Sequence, residues 1–378
     1  MLGLLLAAAI GSGDPGEPVP VAGAPGDGPA ASRSPARVGD PTGVPGFARF
    51  VAAEGAPRLA VSEVEPRERT LRRAQLDAVS VLTRGADGGW ERQERLTWDW
   101  TGPAPDAVFH LAIAARADQD FAVGVGGTWG GGSGPRLAWW SLTASQADSS
   151  GWFASGGPPT YERPLFPLAA VDAALWGQRL VLGGEGSSRA AGPGVCVVVA
   201  DWGEWSQWPK AAMALSHCSS PTIAAVDGRA LFVSGTTADA RSLIDRPSPG
   251  LIRLAYSPDG AEWTELPPPP TWEKPHTSAL AVDSELGLFL VYTAEGGHEG
   301  WPVYAQRSPD FGQTWGKPLM LTRDTIHAVW PDATFYDGDL YVSYLEVPNE
   351  PSPEGEMFLQ PATGAYVMVV DAADIPLP

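Results

Sequence analysis

Three kinds of side chain in this sequence could act on a polar ligand. Arginine comes first, at Arg49, Arg67, Arg69, Arg72 and Arg246. A guanidinium offers a planar fork that pairs bidentately with a carboxylate or sulfate. Arginine also dominates the basic set, since of 25 basic residues only Lys210, Lys274 and Lys317 are lysine. Tryptophan comes second. Trp301 and Trp330 supply aromatic planes on which the apolar face of a sugar ring can stack. Histidine is third, at His276 and His327. His217 and His327 share the frame His-x-x-x-Pro. No metal and no cofactor is expected, because lone histidines commonly satisfy local hydrogen bonds. Plainer alternatives stand beside these. The run Arg67 to Arg73 also reads as a solvated charged loop, and the tryptophans as packing within their own loops.

What must position these residues is a repeat, which fixes a fold when it is present. The pattern Asp, then Gly, then Trp occurs at Asp87, Asp148, Asp201, Asp259 and Asp310, spaced 51 to 61 residues apart. The fullest copies are Ser257-Pro258-Asp259-Gly260-Ala261-Glu262-Trp263 and Ser308-Pro309-Asp310-Phe311-Gly312-Gln313-Thr314-Trp315. A worn sixth copy lies at Asp371. A second pattern precedes each copy, as in Pro221 to Val233 and Asp332 to Val342. It reads as strand, tight turn, strand. Each unit is therefore two hairpins. The sequence predicts an all-β chain, a six-bladed β-propeller with four-stranded blades over residues 47–378. A pair of β-sandwich domains would not require six equivalent turns.

Ser308 to Trp315 resembles a full Asp-box, the turn of the bacterial neuraminidase repeat, and Ser257 to Trp263 is a near copy. In such a turn Asp accepts backbone N–H bonds, Gly takes the left-handed position and Trp packs between blades. The chain thus resembles the sialidase-like β-propeller superfamily, which includes sialidases, lectin-like binders and assembly factors. The resemblance implies a ligand rim opposite the Asp-boxes, formed by the loops leading into the inner strands and those between second and third strands. It implies a first carboxylate-binding arginine at Arg49, in Phe47-Ala48-Arg49-Phe50. It makes Asp77 the candidate catalytic carboxyl. The family's Phe/Tyr-Arg-Ile-Pro sequence is absent, and the region expected to hold its nucleophilic tyrosine reads His327-Ala328-Val329-Trp330-Pro331-Asp332. Catalysis is left open on these residues.

Composition sets the outer limits. The chain has 378 residues and a net charge of −19. That balance excludes a general nucleic-acid binder, which needs basic surface to displace phosphate counterions. The 45 glycines and 38 prolines leave little room for long helices. No apolar run approaches the roughly 20 residues that cross a bilayer, so no transmembrane insertion is expected. Residues 1–12 form a short apolar, signal-like segment, and residues 13–46 a Gly/Pro-rich linker expected to stay extended and disordered. Export to the medium, periplasm or cell envelope follows. In that setting Cys196 and Cys218, the only two cysteines, are expected to pair. The expected partner is a carbohydrate or glycoconjugate, sialic-acid-like or otherwise anionic. The alternatives are an active exo-glycosidase of the sialidase type and a scaffold that binds protein through its rim.

Overall fold

The computed structural model describes residues 36–38, 44–68, 70–96, 107–116, 120–128, 135–143, 171–188, 192–202, 211–226, 228–237, 250–271, 275–295, 299–348 and 362–378. The described chain is all-β, with one short 3₁₀ turn at Ala372–Asp374.

Each repeat folds as an antiparallel meander. The first sheet comprises Val44–Phe50, Arg58–Glu68, Thr70–Arg84 and Trp90–Leu96 in sequence order. The third comprises Val171–Trp176, Arg179–Ser188, Gly192–Asp201 and Ala212–Ser216. The fourth runs Cys218–Val226, Ala230–Thr237, Ile252–Ser257 and Thr264–Glu265. The fifth runs Pro275–Asp283, Gly287–Ala294, Val303–Ser308 and Leu319–Met320. The sixth has Ala328–Tyr336, Asp339–Glu346 and Gly364–Asp371, and its outermost strand is Ala36–Arg37 from the other end of the chain. The second sheet has three described strands, Ala107–Arg116, Asp120–Thr128 and Pro135–Thr143. The fold is thus a β-propeller with four-stranded blades, but five blades have four strands rather than the expected six. The stretch that would complete the second sheet, with the Asp148 turn, lies outside the described residues.

The stretch read as a linker contributes to this architecture. Ala36 pairs with Val367 and Arg37 with Tyr366. Val38 is buried and donates its N–H to Ala365 O at 2.9 Å. A strand from one end of the chain thereby completes a sheet built at the other. After Asp371 the chain turns instead into the 3₁₀ segment, with the Asp371 side chain accepting from Ala373 N.

Neighbouring sheets meet through their inner strands, and each apolar cluster lies between two sheets. Residues of the third and fourth sheets share one cluster, those of the fourth and fifth another, and those of the fifth and sixth a third. The sixth and first share a further one, with Phe50, Leu59 and Trp90 against Val329 and Tyr341. Between first and second sheets, Ala52 forms a parallel bridge to Ala114.

The acidic turns join third to fourth strands. Asp310 Oδ1 accepts from Thr314 N at 2.7 Å and from Ser308 Oγ at 2.8 Å. Asp259 Oδ1 accepts from Ala261 N and Glu262 N at 2.8 and 3.0 Å. Gly260 and Gly312 have φ of +78° and +99°, a region that side chains other than Gly rarely adopt. A Cβ at Gly312 would also strike Leu266 of the preceding sheet at 2.7 Å. Trp315, Trp263 and Trp90 each pack back on the sheet before their own. Antiparallel pairing puts these turns on one rim. The loops leading into inner strands, and those between second and third strands, lie on the other.

Candidate functional site

On that second rim, the start of the sixth sheet's inner strand gathers several residues singled out from the sequence. Gly300-Trp301, between the second and third strands of the fifth sheet, pairs with the segment leading into the sixth. Trp301 N donates to Ile326 O at 2.8 Å, and Ala328 N to Trp301 O at 3.2 Å. This parallel bridge sets Trp301 against His327. The rings of Trp301 and His327 lie 5.3 Å apart edge-on, and those of Trp301 and His276 4.9 Å apart. An indole thus sits between two buried imidazoles. His276 Nε2 lies 3.2 Å from Glu295 Oε1. Burial lowers the pKa of His327, because its charged form would lose water.

Three residues further, Trp330 has φ of +52°, and the register shifts between Val329 and Asp332. A bulge with a left-handed tryptophan is strained, and such strain re-aims side chains. Trp330 meets Phe47 of the first sheet edge-on at 6.1 Å. The fourth sheet repeats the device at Ser220, with φ of +52° before Pro221.

Deeper in the ring, Arg49 is buried and donates Nη1 to Pro331 O at 3.4 Å. The same Nη1 lies 3.6 Å from Asp332 Oδ1. Asp332 Oδ2 accepts from Phe50 N at 2.5 Å, tying last sheet to first. Asp172, on the inner strand of the third sheet, makes the matching bond to the fourth, accepting from Ile223 N at 2.7 Å. Asp172 also feels the charges of Asp332 and Arg49. The third sheet neighbours neither the first nor the sixth, yet its Asp172 lies near enough to interact with both charges. Burial, with the Asp332 charge added, pushes the Asp172 carboxyl up to about 7, against the pull of Arg49 and two backbone N–H groups. Burial likewise raises Asp332, with Arg49 and Phe50 N opposing. Towards the rim, Glu185 is buried with Ser220 N at 2.7 Å, and burial raises it to about 7.

The structure therefore assembles Arg49, His276, Trp301, His327 and Trp330 around the junction of the first, fifth and sixth sheets. Arg67, Arg72 and Asp77 fall on the long first-sheet hairpin, whose pairing runs out to Glu68 opposite Thr70. Their side chains lie outside the described residues, as do Arg69 and Arg246 altogether. Composition and motif did not mark Asp172 and Asp332 as site residues. The available signal was a carboxylate inside an otherwise apolar inner strand.

The expected disulfide is not formed, and Cys196 and Cys218 are buried free thiols. Val195 and Val197 share the apolar cluster of Cys218, so Cys196, alternating with them along the strand, faces the other side of its sheet. Burial pushes both thiols up to about 11.

No protein-family model matches the sequence, and no curated protein matches it significantly. Solved structures do resemble its fold. A protein of unknown function from Dyadobacter fermentans superposes with a TM-score of 0.58 at 12% identity, covering 90% of this chain and 98% of that one. Trypanosoma rangeli sialidase bound to the inhibitor DANA gives a TM-score of 0.55 at 13% identity over 89% of this chain. This chain spans 58% of the sialidase's length. The α-L-arabinofuranosidase Arb93A of Fusarium graminearum gives a TM-score of 0.54 at 11% identity, covering 91% of this chain and 99% of that one. At these identities the likeness concerns the fold, a β-propeller shared with glycoside hydrolases acting on different sugars.

Proposed function

We propose that this chain is an exported, sialidase-like propeller of six blades with Asp-box turns, which binds a glycan on the rim opposite those turns. The observation that carries this reading is the approach of three buried ionisable groups, Arg49, Asp172 and Asp332, from three different sheets. Buried charges are costly unless paired. Trp330 and the His276–Trp301–His327 stack flank that centre and provide aromatic faces for sugar rings. Glycan-array screening followed by calorimetry tests the reading. Binding should weaken at least tenfold in Arg49→Ala and Trp330→Ala. A chain that binds no sugar, yet retains protein partners under sugar competition, would instead be a protein-binding scaffold.

A second reading, an active exo-glycosidase, draws support from Asp172. A carboxyl titrating near 7 is still partly protonated at neutral pH and can donate to a leaving-group oxygen. Asp332 would act as its carboxylate partner. Turnover of a fluorogenic sialoside or arabinofuranoside, lost in Asp172→Asn, tests this reading. Absence of turnover on both substrates in a chain that still binds glycan would limit the function to binding.

A further inference from the structure

We infer that the axial site takes an uncharged, hydroxyl-rich sugar and discriminates against sugars bearing a carboxylate. This inference rests on the glycan-binding reading and narrows its ligand class.

The argument is one of charge and hydrogen-bond capacity. Among the described residues, the centre holds one guanidinium and two carboxyl groups. Arg49 is the group on which recognition of an acidic sugar would depend, and one arm of its guanidinium is already engaged. Its Nη1 serves both Pro331 O and Asp332 Oδ1. Freeing it for a ligand carboxylate would leave Asp332 buried without its counter-ion, a heavy penalty. The incoming anion would also be a third carboxyl group beside the other two, where like charges are weakly screened. At long range, a chain of net charge −19 repels anions further.

A neutral polyol meets the opposite situation. An ionised carboxylate has about four lone-pair sites. Asp172 uses Oδ1 for Ala173 N at 2.9 Å and Oδ2 for Ile223 N at 2.7 Å. Each oxygen therefore retains capacity for a sugar hydroxyl, which donates where an anion cannot. In the other direction, Arg49 Nε is a buried donor without a hydrogen-bond partner among the described residues, on a side chain 6% exposed. Such orphaned donors are uncommon, and a hydroxyl or ring oxygen that reaches the axis would satisfy it. Acceptors on Asp172 and Asp332 and a donor on Arg49 match the paired donor-acceptor character of vicinal hydroxyls. Trp330, half-buried beside them, offers a stacking face that carries no charge preference.

The test compares neutral sugars with counterparts that bear a carboxylate. Calorimetric titrations of the full chain at pH 7.5 would use methyl glucoside against methyl glucuronide, and lactose against sialyllactose. Neutral arabino- and xylo-oligosaccharides would extend the panel. The expected result is that neutral members bind at least tenfold more tightly than their acidic counterparts. Asp172→Asn, which removes a negative charge but keeps the shape, should shrink that ratio. The wild-type comparison stands even if this variant fails to fold. Acidic sugars binding as tightly as their neutral partners would overturn the inference while leaving the glycan reading intact. Failure of every sugar to bind would remove the glycan reading, and this inference with it.

Discussion

Arg49 and Asp332 close the ring as well as lining its axis: Nη1 of the first-sheet arginine lies 3.6 Å from Oδ1 of the last-sheet aspartate, and both are buried. Through its other oxygen, Asp332 holds Phe50 N at 2.5 Å, so one carboxylate meets both a side chain and a backbone of the opposite sheet. Asp332→Ala should therefore destabilise the fold by about 3–5 kcal/mol, since it strands a buried guanidinium and a buried N–H. Asp332→Asn keeps an acceptor for Phe50 and should cost less. Urea denaturation of both variants checks this ordering, and equal costs would assign the whole effect to the lost negative charge.

The buried carboxyls predict an unusual pH dependence. Asp172 and Glu185 both titrate near 7 in the folded chain, raised chiefly by burial. A raised folded-state pKa gives stability that is complete below the unfolded value, near 4, and is lost as pH climbs through 7. His327 acts with the opposite sign, weakening the fold as pH drops below its ordinary value, because burial disfavours its charge. Stability should thus peak in mildly acid solution. Glu185→Gln should flatten the decline between about pH 4.5 and 7.5 by roughly 3 kcal/mol, at about 1.4 kcal/mol per pH unit. Thermal unfolding across that range measures it, and an unchanged slope would refute the assignment.

The acidic turns carry the reverse dependence. In Asp310, burial pushes the pKa up, but Thr314 and Ser308 donors outweigh it and hold the carboxylate below its usual range. Stability from this turn is present above pH 4 and fades as acid protonates it. Asp310→Ala should cost about 1–2 kcal/mol at pH 7, because water replaces part of what three short hydrogen bonds supplied. Its cost should shrink at pH 3. Denaturant midpoints at the two pH values decide.

Two unpaired thiols should be silent in the native chain. Cys196 and Cys218 are buried on different faces, with Arg253 Nη1 3.9 Å from the Cys218 sulfur. Thiolates are the reactive form, and burial suppresses them. Disulfide reagents should label neither thiol in native protein and both after unfolding without reductant. Unfolded protein that yields no thiols would restore the bridge.

How far the chain can be read without coordinates follows from the range of the interactions involved. The Asp-Gly-Trp turns and alternating strands are local: Asp259 and Asp310 bond within four residues, and each hairpin closes over a short turn. Period and residue type suffice for such elements, so the repeated hairpins and the all-β class were legible. Other features join residues hundreds of positions apart. Arg49 meets Pro331 and Asp332, Asp172 feels the charges of Arg49 and Asp332, and Ala36–Arg37 complete the sheet that ends at Asp371. No spacing rule links such pairs, because ring closure brings them together only after every sheet has packed on its neighbour. The same holds for Cys196 and Cys218, whose separation suggested a bridge but whose strand faces forbid it. Local chemistry was written in the residues, and the placement of the buried charges was decided by closing the circle.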